Sequence, residues 1–313
     1  MNNLKLSLLM VMVFSSALTF SAQSEEKVHH ELKMVVTAAV VSERGVGVYK
    51  DLANYLSERL GWDVRVVSGL SYEQADAMLK KGVIQIGFVC GLPFVQQSQG
   101  SNYELLATPV MATKAGEYKD AKGYEDIPGK YYSYTIVHKD ADIQSWQDLK
   151  GKTYAFNDVL SNSGYNMPRY KLVMMGVKRW EDYFSKVIVS GSHEESIRLV
   201  ARGMVDASSV DSLVLDFDRH IGNLDALNVK IIEHLHPGGA GAPPIVAGKN
   251  VSDEIKLAIK QELLVMHETE QGRRVLQKAL ISHFVSAKDE NYDDIRYMEN
   301  AAKEQGFVDY DAF

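Results

Sequence analysis

Residues 153–166 read TYAFNDVLSNSGYN, and the rest of the chain is interpreted outward from this stretch. Its apolar start predicts a short strand over residues 153–156. A helical pattern follows over residues 165–175 and ends at Gly176, a residue typical of helix C-termini. Small polar residues fill the segment between strand and helix, so backbone N–H groups would stay free where the helix begins. Such a helix N-terminus binds anions through these donors and the helix dipole.

The side chains of the turn extend this set of donors. Ser161 and Ser163 can donate hydrogen bonds from their hydroxyls, and Asn162 can donate from its amide. Two interpretations stay open from these residues alone. Either the turn binds an anion, or one of its serines only caps the helix, because Ser and Asn are favoured N-cap residues.

Composition limits the class of protein. The chain has 313 residues, enough for two ordinary domains, and a formal net charge of −7. This charge argues against a nucleic-acid partner, because binding a phosphate backbone requires a basic surface. The single cysteine, Cys90, excludes an intrachain disulfide and a metal site built from several cysteines. We interpret it as a small buried apolar residue, since no neighbouring base is visible to activate its thiol.

The first 22 residues are predicted to be a secretory signal peptide. Lys5 provides the positive start, an apolar run covers residues 6–20, and small residues suited to cleavage follow at 21–24. A membrane anchor is the alternative, but the apolar run is shorter than the roughly 20 residues that span a bilayer. Export without a possible intrachain disulfide predicts a periplasmic location.

Strands and helices alternate along the first part of the chain. Apolar runs over residues 32–40 and 83–90, and an alternating pattern over residues 63–67, predict strands. The helices between them end at Gly61 and Gly82, and the second of these helices begins at a capping box, Ser71 to Gln74. A further capping box is predicted at residues 192–195. This β-α-β-α-β order is typical of an open, mostly parallel sheet with helices on both faces. The predicted fold class is therefore α/β.

A second domain of the same kind follows a connection over residues 115–130 that is rich in Gly, Lys, Asp and Pro. The Gly- and Pro-rich segment 237–244 is predicted to return the chain to the first domain. The prediction is one lobe over residues 23–134 and 236–313, and a second lobe over residues 135–235.

Eight short segments resemble one family, and they occur in the same order over nearly the whole mature chain. They are YKDL at 49–52, QIGF at 85–88, GLPF at 91–94, YSYTI at 132–136, LKGK at 149–152, SNSGY at 161–165, GSH at 191–193 and GMVDA at 203–207. They resemble the periplasmic binding proteins of phosphate, phosphite and phosphonate ABC transporters, the PhnD-like group. The resemblance implies two α/β lobes in a type II-like arrangement that close on a ligand in the cleft between them. It implies neither catalysis nor a cofactor.

The resemblance also implies ligand-binding residues. In the family, an S-x-S-G turn and the His of a G-x-H segment hold the oxyanion. Here these are Ser161, Asn162, Ser163, Gly164, the adjoining Tyr165, and His193. The first lobe would supply Tyr72 and a lid around Gly91 and Phe94, with Ser42 and Arg44 as further candidates after the first strand. Asp211 and Ser212 complete the set at the carboxyl end of a strand predicted over residues 205–210. From the residues alone, we would interpret His193 as an ordinary residue of the first helical turn and Arg44 as a solvent-exposed charged residue of a loop.

Two departures from the family narrow the ligand class. Relatives that take aminoalkylphosphonates have carboxylates at positions that align with Leu213 and Pro243, where the carboxylates suit an ammonium group. Both positions are apolar here, and Asp211 is the nearest acid. We therefore expect a small phosphorus oxyanion or a simple phosphonate, with a similar sulfur or carboxylate oxyanion as the alternative.

The predicted function is capture of this oxyanion by hinge closure and its delivery to an ABC permease in the inner membrane, by a monomeric protein. A sensor that presents its ligand to a membrane histidine kinase is one alternative. An exported enzyme is another, against which stands the lack of a G-x-S-x-G, H-E-x-x-H or phosphate-loop motif. Zinc binding is the third: His234 and His236 would share one face of a strand, but no third ligand is apparent.

Overall fold

The computed structural model of the protein describes residues 31–37, 45–100, 102–112 and 129–307. The predicted signal peptide and the candidates Ser42 and Arg44 lie outside these residues. Within them, no helix combines the length and the apolar character needed to cross a membrane.

The strands of the described residues form two sheets. The strands are β1 (Glu31–Val36), β2 (Asp63–Val67), β3 (Ile86–Phe88), β4 (Tyr103–Met111), β5 (Lys130–His138), β6 (Thr153–Phe156), β7 (Lys186–Val189), β8 (Ala207–Asp211), β9 (Val229–Gly241), β10 (Ile245–Gly248) and β11 (Ile281–Val285). The first sheet has the strand order β11-β4-β10-β3-β1-β2, and the second has the order β7-β6-β8-β5-β9.

Helices connect these strands. They are α1 (Val46–Leu60), α2 (Tyr72–Lys80), α3 (Gly91–Ser98), α4 (Met167–Met174), α5 (His193–Ala201), α6 (Ser212–His220), α7 (Leu224–Leu227), α8 (Asp253–Val265), α9 (Glu270–Lys278) and α10 (Asp293–Glu304). The predicted α/β class is confirmed by this succession of strands and helices.

Both sheets are mixed, so the prediction of mostly parallel sheets is wrong. β1 runs parallel to β2 and β3, and β6 runs parallel to β7 and β8. The other pairs, which involve β4, β5, β9, β10 and β11, are antiparallel. A strand buried on both faces is an apolar run whichever way it points, so the hydrophobic pattern carries no information about direction.

The first sheet is built from two separate parts of the chain. β1 to β4 precede the strands of the second sheet in the sequence, and β10 and β11 follow them. The predicted lobe boundaries at 134/135 and 235/236 fall inside β5 and β9, which pair with each other from Lys130 and Gly241 onward. The exact division of the chain into lobes stays a prediction.

Local sequence features fix several helix ends. Ser71 and Gln74 form the predicted capping box at the start of α2. Ser192 caps α5, since its hydroxyl accepts a hydrogen bond from the backbone N–H of Glu195. Gly61 ends α1 in the left-handed conformation with φ of 70°, which Gly adopts without steric cost. Two of the elements that carry candidate site residues therefore begin where the sequence predicts.

An aromatic core supports the strand that leads into the candidate site. Tyr154 of β6 stacks on Phe184 with ring centroids 4.5 Å apart, and Phe156 meets Trp180 edge-on at 3.9 Å. All four side chains are buried. Because such close-packed interiors transmit displacement rather than absorb it, the end of β6 is a rigid base for the turn that follows.

Candidate functional site

The turn after β6 is a π-helical turn over Asn162–Asn166, which continues directly into α4. Ser161 caps this turn, because its hydroxyl oxygen accepts a hydrogen bond from the backbone N–H of Gly164 at 3.0 Å. A cap at one of the two serines, as the sequence predicts, is thus confirmed. Accepting this bond leaves the hydroxyl hydrogen of Ser161 available as a donor, so capping and anion binding are compatible in one residue.

Asn157 holds the turn against the start of α5. Its amide donates to the hydroxyl of Ser196 at 2.6 Å and to the carbonyl of Ser192 at 3.2 Å. A Cβ atom on Gly164 would lie 1.5 Å from Asn157 Oδ1, so only Gly fits at this position. Sequence reasoning placed Asn157 in the turn but gave it no role. The structure shows that it positions the residues that follow.

His193 lies at the centre of the candidate site and is fully buried. Its Nδ1 accepts a hydrogen bond from the backbone N–H of Asp211 at 3.1 Å. Burial lowers the pKa of His193 to about 3, so the ring is neutral near pH 7. With Nδ1 acting as an acceptor, the single ring hydrogen is on Nε2, which therefore is a donor.

Hydroxyl groups from α2 and from the turn after β6 surround His193 Nε2. Ser161 Oγ lies 3.4 Å from this atom, Ser163 Oγ lies 3.5 Å from it, and the hydroxyl of Tyr72 also lies 3.5 Å from it. Tyr72 begins α2 beside the first sheet, whereas the two serines and His193 follow strands β6 and β7 of the second. Tyr72, Ser161, Ser163 and His193 form the hydroxyl cluster, and the structure brings these four predicted residues together.

The hydroxyl cluster offers four donors, three O–H groups and one ring N–H. The distances of 3.4–3.5 Å exceed those of a strong hydrogen bond, which fall near 2.7–3.2 Å. The ring N–H and the hydroxyls can all point at one acceptor, and none of them carries a charge near neutral pH. Such an arrangement suits an oxyanion, which supplies several acceptor oxygens to neutral donors in a buried site.

Asn162 and Tyr131 extend the polar network beneath the cluster. The Asn162 amide donates to the Tyr131 hydroxyl at 2.7 Å, and its backbone N–H donates to the sulfur of Cys90 at 3.3 Å. The predicted amide donor is therefore already engaged. Tyr131 also interacts with the Ser163 side chain. Sequence reasoning missed Tyr131, because it is one of several tyrosines on one apolar strand and nothing distinguishes it locally.

Cys90 is buried, as the sequence predicts. Burial raises the pKa of its thiol to about 12, so the thiol stays protonated near neutral pH. It precedes α3 and serves as an acceptor for the Asn162 N–H, which links the two sheets. A role as nucleophile is not supported by this environment.

The structure does not bring four other predicted residues to the hydroxyl cluster. A Cβ atom on Gly91 would meet Ile295 at 2.5 Å, and the ring of Phe94 packs on Tyr292 at 4.6 Å, so both residues face α10 and its approach. The ring of Tyr165 joins the aromatic core at 5.3 Å from Phe156. The Ser212 hydroxyl accepts a hydrogen bond from the backbone N–H of Tyr132 at 3.0 Å. Contacts of Phe94, Tyr165 and Ser212 with neighbouring elements, and the close approach of Ile295 to Gly91, decided these positions, and the sequence does not show such contacts.

Asp211 lies next to the cluster at the end of β8. Its Oδ1 caps α6 by accepting from the backbone N–H of Leu213 at 2.7 Å. Burial raises the pKa of the Asp211 carboxyl well above its usual range. The Ser163 side chain is among its hydrogen-bonding neighbours. Asp211 thus lies beside the donors, as predicted from its position at the strand end.

A narrow, largely apolar cavity of about 10 Å³ lies between helix α6 and the first sheet. Its lining residues are Tyr49, Phe88, Pro109, Met111, Leu213, Phe217, Ala279 and Ile281. Leu213, one of the two departures from the aminoalkylphosphonate pattern, therefore faces apolar neighbours. An ammonium group in this cavity would find no carboxylate among the lining residues.

Of the two histidines considered for zinc, the His236 side chain lies outside the described residues, and His234 packs against an aromatic ring. The ring of His234 packs against Tyr134 with centroids 4.6 Å apart, and burial lowers the pKa of His234. No group of three His, Cys, Asp or Glu side chains within the described ranges has the arrangement of a metal site. Zinc binding gains no support from this geometry.

Comparison with known proteins adds to this geometry. Residues 34–292 match the family described as "ABC transporter, phosphonate, periplasmic substrate-binding protein". The chain belongs to this family. The resemblance stated from the sequence is thereby confirmed, and so is the role of a periplasmic substrate-binding component of an ABC transporter.

Several proteins of known name are similar to this chain in sequence or in fold. The phosphate-import protein PhnD of Mycolicibacterium smegmatis is 26% identical over 285 residues, which cover 84% of each chain. A binding protein of a Pseudomonas aeruginosa ABC phosphonate transporter has a TM-score of 0.76 at 19% identity, over 88% of each chain. PhnD1 of Prochlorococcus marinus, solved with methylphosphonate, has a TM-score of 0.73 at 19% identity, over 87% of this chain and 98% of that one. At these identities the structures support the two-lobe fold.

Proposed function

We propose that this family member binds a small phosphorus oxyanion in the hydroxyl cluster, performs no chemistry on it, and delivers it to an ABC permease. The observation that carries the proposal is that three hydroxyls converge on His193 Nε2. This nitrogen is a donor, because the other ring nitrogen accepts a hydrogen bond from the backbone N–H of Asp211. A desolvated anion surrounded by oriented neutral donors is bound tightly without a counter-charge.

The names of two relatives favour a ligand without an ammonium group, since they are described as a phosphate-import protein and as a protein in complex with methylphosphonate. Aminoethylphosphonate is disfavoured, because Leu213 and its neighbours give its ammonium group no acceptor.

Hinge closure would couple binding to transport. Tyr72 is the member of the cluster that comes from α2, the helix packed on β3 and β10 of the first sheet, and its hydroxyl reaches across to His193. A ligand that contacts Tyr72 together with Ser161 and Ser163 favours the closed arrangement, because opening would remove one of its donors. In our proposal the protein is exported by the segment 1–22, acts as a monomer in the periplasm, and presents the closed form to the permease.

The test is ligand binding by the mature protein, measured by thermal unfolding and calorimetry. The panel contains phosphate, phosphite, methylphosphonate, aminoethylphosphonate, sulfate and zinc. A cognate anion at about 100 times its Kd should raise the free energy of unfolding by roughly 2.7 kcal/mol. Ser163→Ala should weaken binding by about tenfold to a hundredfold, the value of one hydrogen bond to a charged ligand. His193→Ala should weaken it at least as much.

Matched controls separate these effects from general damage. His220 ends α6 at an exposed position, and Ser282 is exposed on β11. His220→Ala and Ser282→Ala should leave the affinity unchanged. Equal losses in cluster and control variants, or stabilisation by zinc alone, would contradict the proposal.

A further inference from the structure

A row of buried polar side chains leads from helix α4 to the hydroxyl cluster. Arg169 of α4 donates from Nη2 to Asn166 Oδ1 at 3.0 Å, and Asn166 Nδ2 donates to Asn162 Oδ1 at 3.0 Å. The Asn162 amide donates to the hydroxyl of Tyr131 at 2.7 Å, and this hydroxyl is hydrogen-bonded to the Ser163 side chain. These side chains, all buried, form the hydrogen-bond chain. Its last member, Ser163, also belongs to the hydroxyl cluster.

Asn166 has one favourable orientation in the hydrogen-bond chain. Its side chain lies between Arg169, whose guanidinium can donate but never accept, and the backbone carbonyl of Ile295 in α10, which can only accept. The Asn166 oxygen therefore faces Arg169. Its NH2 group faces Ile295 at 3.3 Å and Asn162 at 3.0 Å. A reversed amide would set donor against donor and acceptor against acceptor, so the neighbours of Asn166 fix the direction of its hydrogen bonds.

This direction passes along the hydrogen-bond chain one group at a time. Asn162 accepts from Asn166 through Oδ1, so its NH2 group is the side that meets Tyr131. The Tyr131 hydroxyl accepts from that NH2 group, and of these two neighbours only Ser163 Oγ can accept the phenolic hydrogen. Buried hydroxyls rarely leave their hydrogen without an acceptor. Ser163 Oγ therefore accepts from Tyr131, and its own hydrogen is left for the Asp211 carboxyl or a bound anion.

We propose that Asn166 is a positioning residue, which through the hydrogen-bond chain keeps the Ser163 hydroxyl turned as a donor toward the bound anion. This inference rests on the proposed function and deepens it, because it explains why a hydroxyl that can donate or accept acts as a donor here. Hydrogen bonds that run in one direction polarise one another, so Asn162 and Tyr131 also strengthen the O–H group of Ser163 as a donor.

The test replaces Asn166 by a side chain of the same shape that only accepts. In Asn166→Asp, the ionised carboxyl binds Arg169 and draws the NH2 group of Asn162 toward itself. The Asn162 oxygen then takes the Tyr131 hydrogen. Ser163 has to donate to Tyr131, and the anion loses one donor. The Kd values of phosphate, phosphite and methylphosphonate, measured by calorimetry, should rise about tenfold or more, the value of one hydrogen bond to a charged ligand.

The charge added by Asn166→Asp also repels an anion, so the substitution is made in two further backgrounds. In Ser163→Ala there is no hydroxyl to turn, and Asn166→Asp should raise the Kd at least about fivefold less than in the wild type. In Tyr72→Phe the missing donor lies outside the hydrogen-bond chain, and the effect should equal that in the wild type. Tyr183→Phe, which removes a buried hydroxyl bonded to the Trp146 carbonyl, is the control and should leave the Kd unchanged.

The outcomes separate this inference from the proposed function. If the anions bind and Asn166→Asp raises the Kd equally in the Ser163→Ala and Tyr72→Phe backgrounds, or does not raise it at all, the positioning role is overturned while the proposed function stands. If the wild type binds none of the three anions, the proposed function itself fails.

A second variant covers the case in which Asn166→Asp does not fold. Tyr131→Phe keeps the ring and removes the donor to Ser163 Oγ, so it cuts the hydrogen-bond chain at its last link. Its effect on the Kd should disappear in the Ser163→Ala background and persist in the Tyr72→Phe background. Equal losses in both backgrounds would show that Ser163 is not directed through this chain, and the inference would be overturned.

Discussion

Replacing Gly164 by Ala tests whether the π-helical turn is packed as described. The new Cβ would lie 1.5 Å from Asn157 Oδ1 and 2.3 Å from its Cγ, well inside contact distance. Asn157 cannot move freely, because its amide is bound to Ser196 and Ser192. Overpacking costs about 1–3 kcal/mol, and breaking the two hydrogen bonds to relieve it costs about 1 kcal/mol each. We expect Gly164→Ala to lower the free energy of unfolding by about 3 kcal/mol or more.

Chemical and thermal unfolding would measure this loss, which corresponds to a Tm lower by roughly 6–12 °C at about 2–4 °C per kcal/mol. The affinity for methylphosphonate should fall as well, since Ser161 caps the displaced turn and Ser163 lies within it. Gly47 is the matched control: it is exposed in α1 with nothing within 4 Å of an added Cβ. Gly47→Ala should be neutral or stabilising by up to about 1 kcal/mol.

A double-mutant cycle sharpens the result. Asn157→Ala removes the two atoms nearest to the new Cβ and leaves the Asn157 Cβ position 2.8 Å away. Gly164→Ala should therefore cost clearly less in the Asn157→Ala background than in the wild type. If Gly164→Ala is as stable and binds as well as Gly47→Ala, the reasoning about this turn is refuted.

Three further predictions concern single residues. The pKa of His193 is about 3 when folded against 6.5 as its ordinary value, so its contribution to stability is complete above about pH 6.5 and is lost on acidification by roughly 1.4 kcal/mol per pH unit. In urea unfolding measured against pH, His193→Gln should lack this loss of stability on acidification. Asp211, whose raised pKa acts in the opposite direction, is present in both proteins, so its contribution cancels in the comparison with the wild type. Equal pH dependence of the two unfolding free energies would refute the prediction. Cys90 should resist thiol reagents near pH 8 until the protein unfolds, because its pKa is about 12, and rapid labelling of the folded protein would show that it is not buried. Phe94→Leu should lower stability by about 1 kcal/mol yet change the ligand Kd less than threefold, because Phe94 packs on Tyr292; a large change in Kd would restore the lid interpretation.

The elements of the candidate site were largely predictable. The strand at residues 153–156, the caps at Ser71 and Ser192, and the small polar turn were all read from local patterns, and the structure contains each of them. These features depend on neighbours within one helical turn, where side-chain and backbone hydrogen bonds are set by sequence spacing.

Residues of one turn were harder to sort by role. Ser161 and Ser163 reach His193, whereas Tyr165 packs into the aromatic core and Asn162 binds Tyr131. The sequence predicts a donor-rich turn, but which side chain points to which side depends on the π-helical winding of this turn. That winding is fixed by the close approach of Gly164 to Asn157, a contact that no periodicity encodes.

By itself the sequence determined the α/β class, the donor-rich turn and the family to which the chain belongs. Only the tertiary structure decided the direction of the strands, the meeting of Tyr72 with His193 across 121 positions, and the burial of Asp211 beside Ser163. The physical reason is the range of the interactions. Caps, turns and amphipathic patterns act between near neighbours, while the tautomer of His193 and the raised pKa of Asp211 follow from burial among groups far apart in the chain.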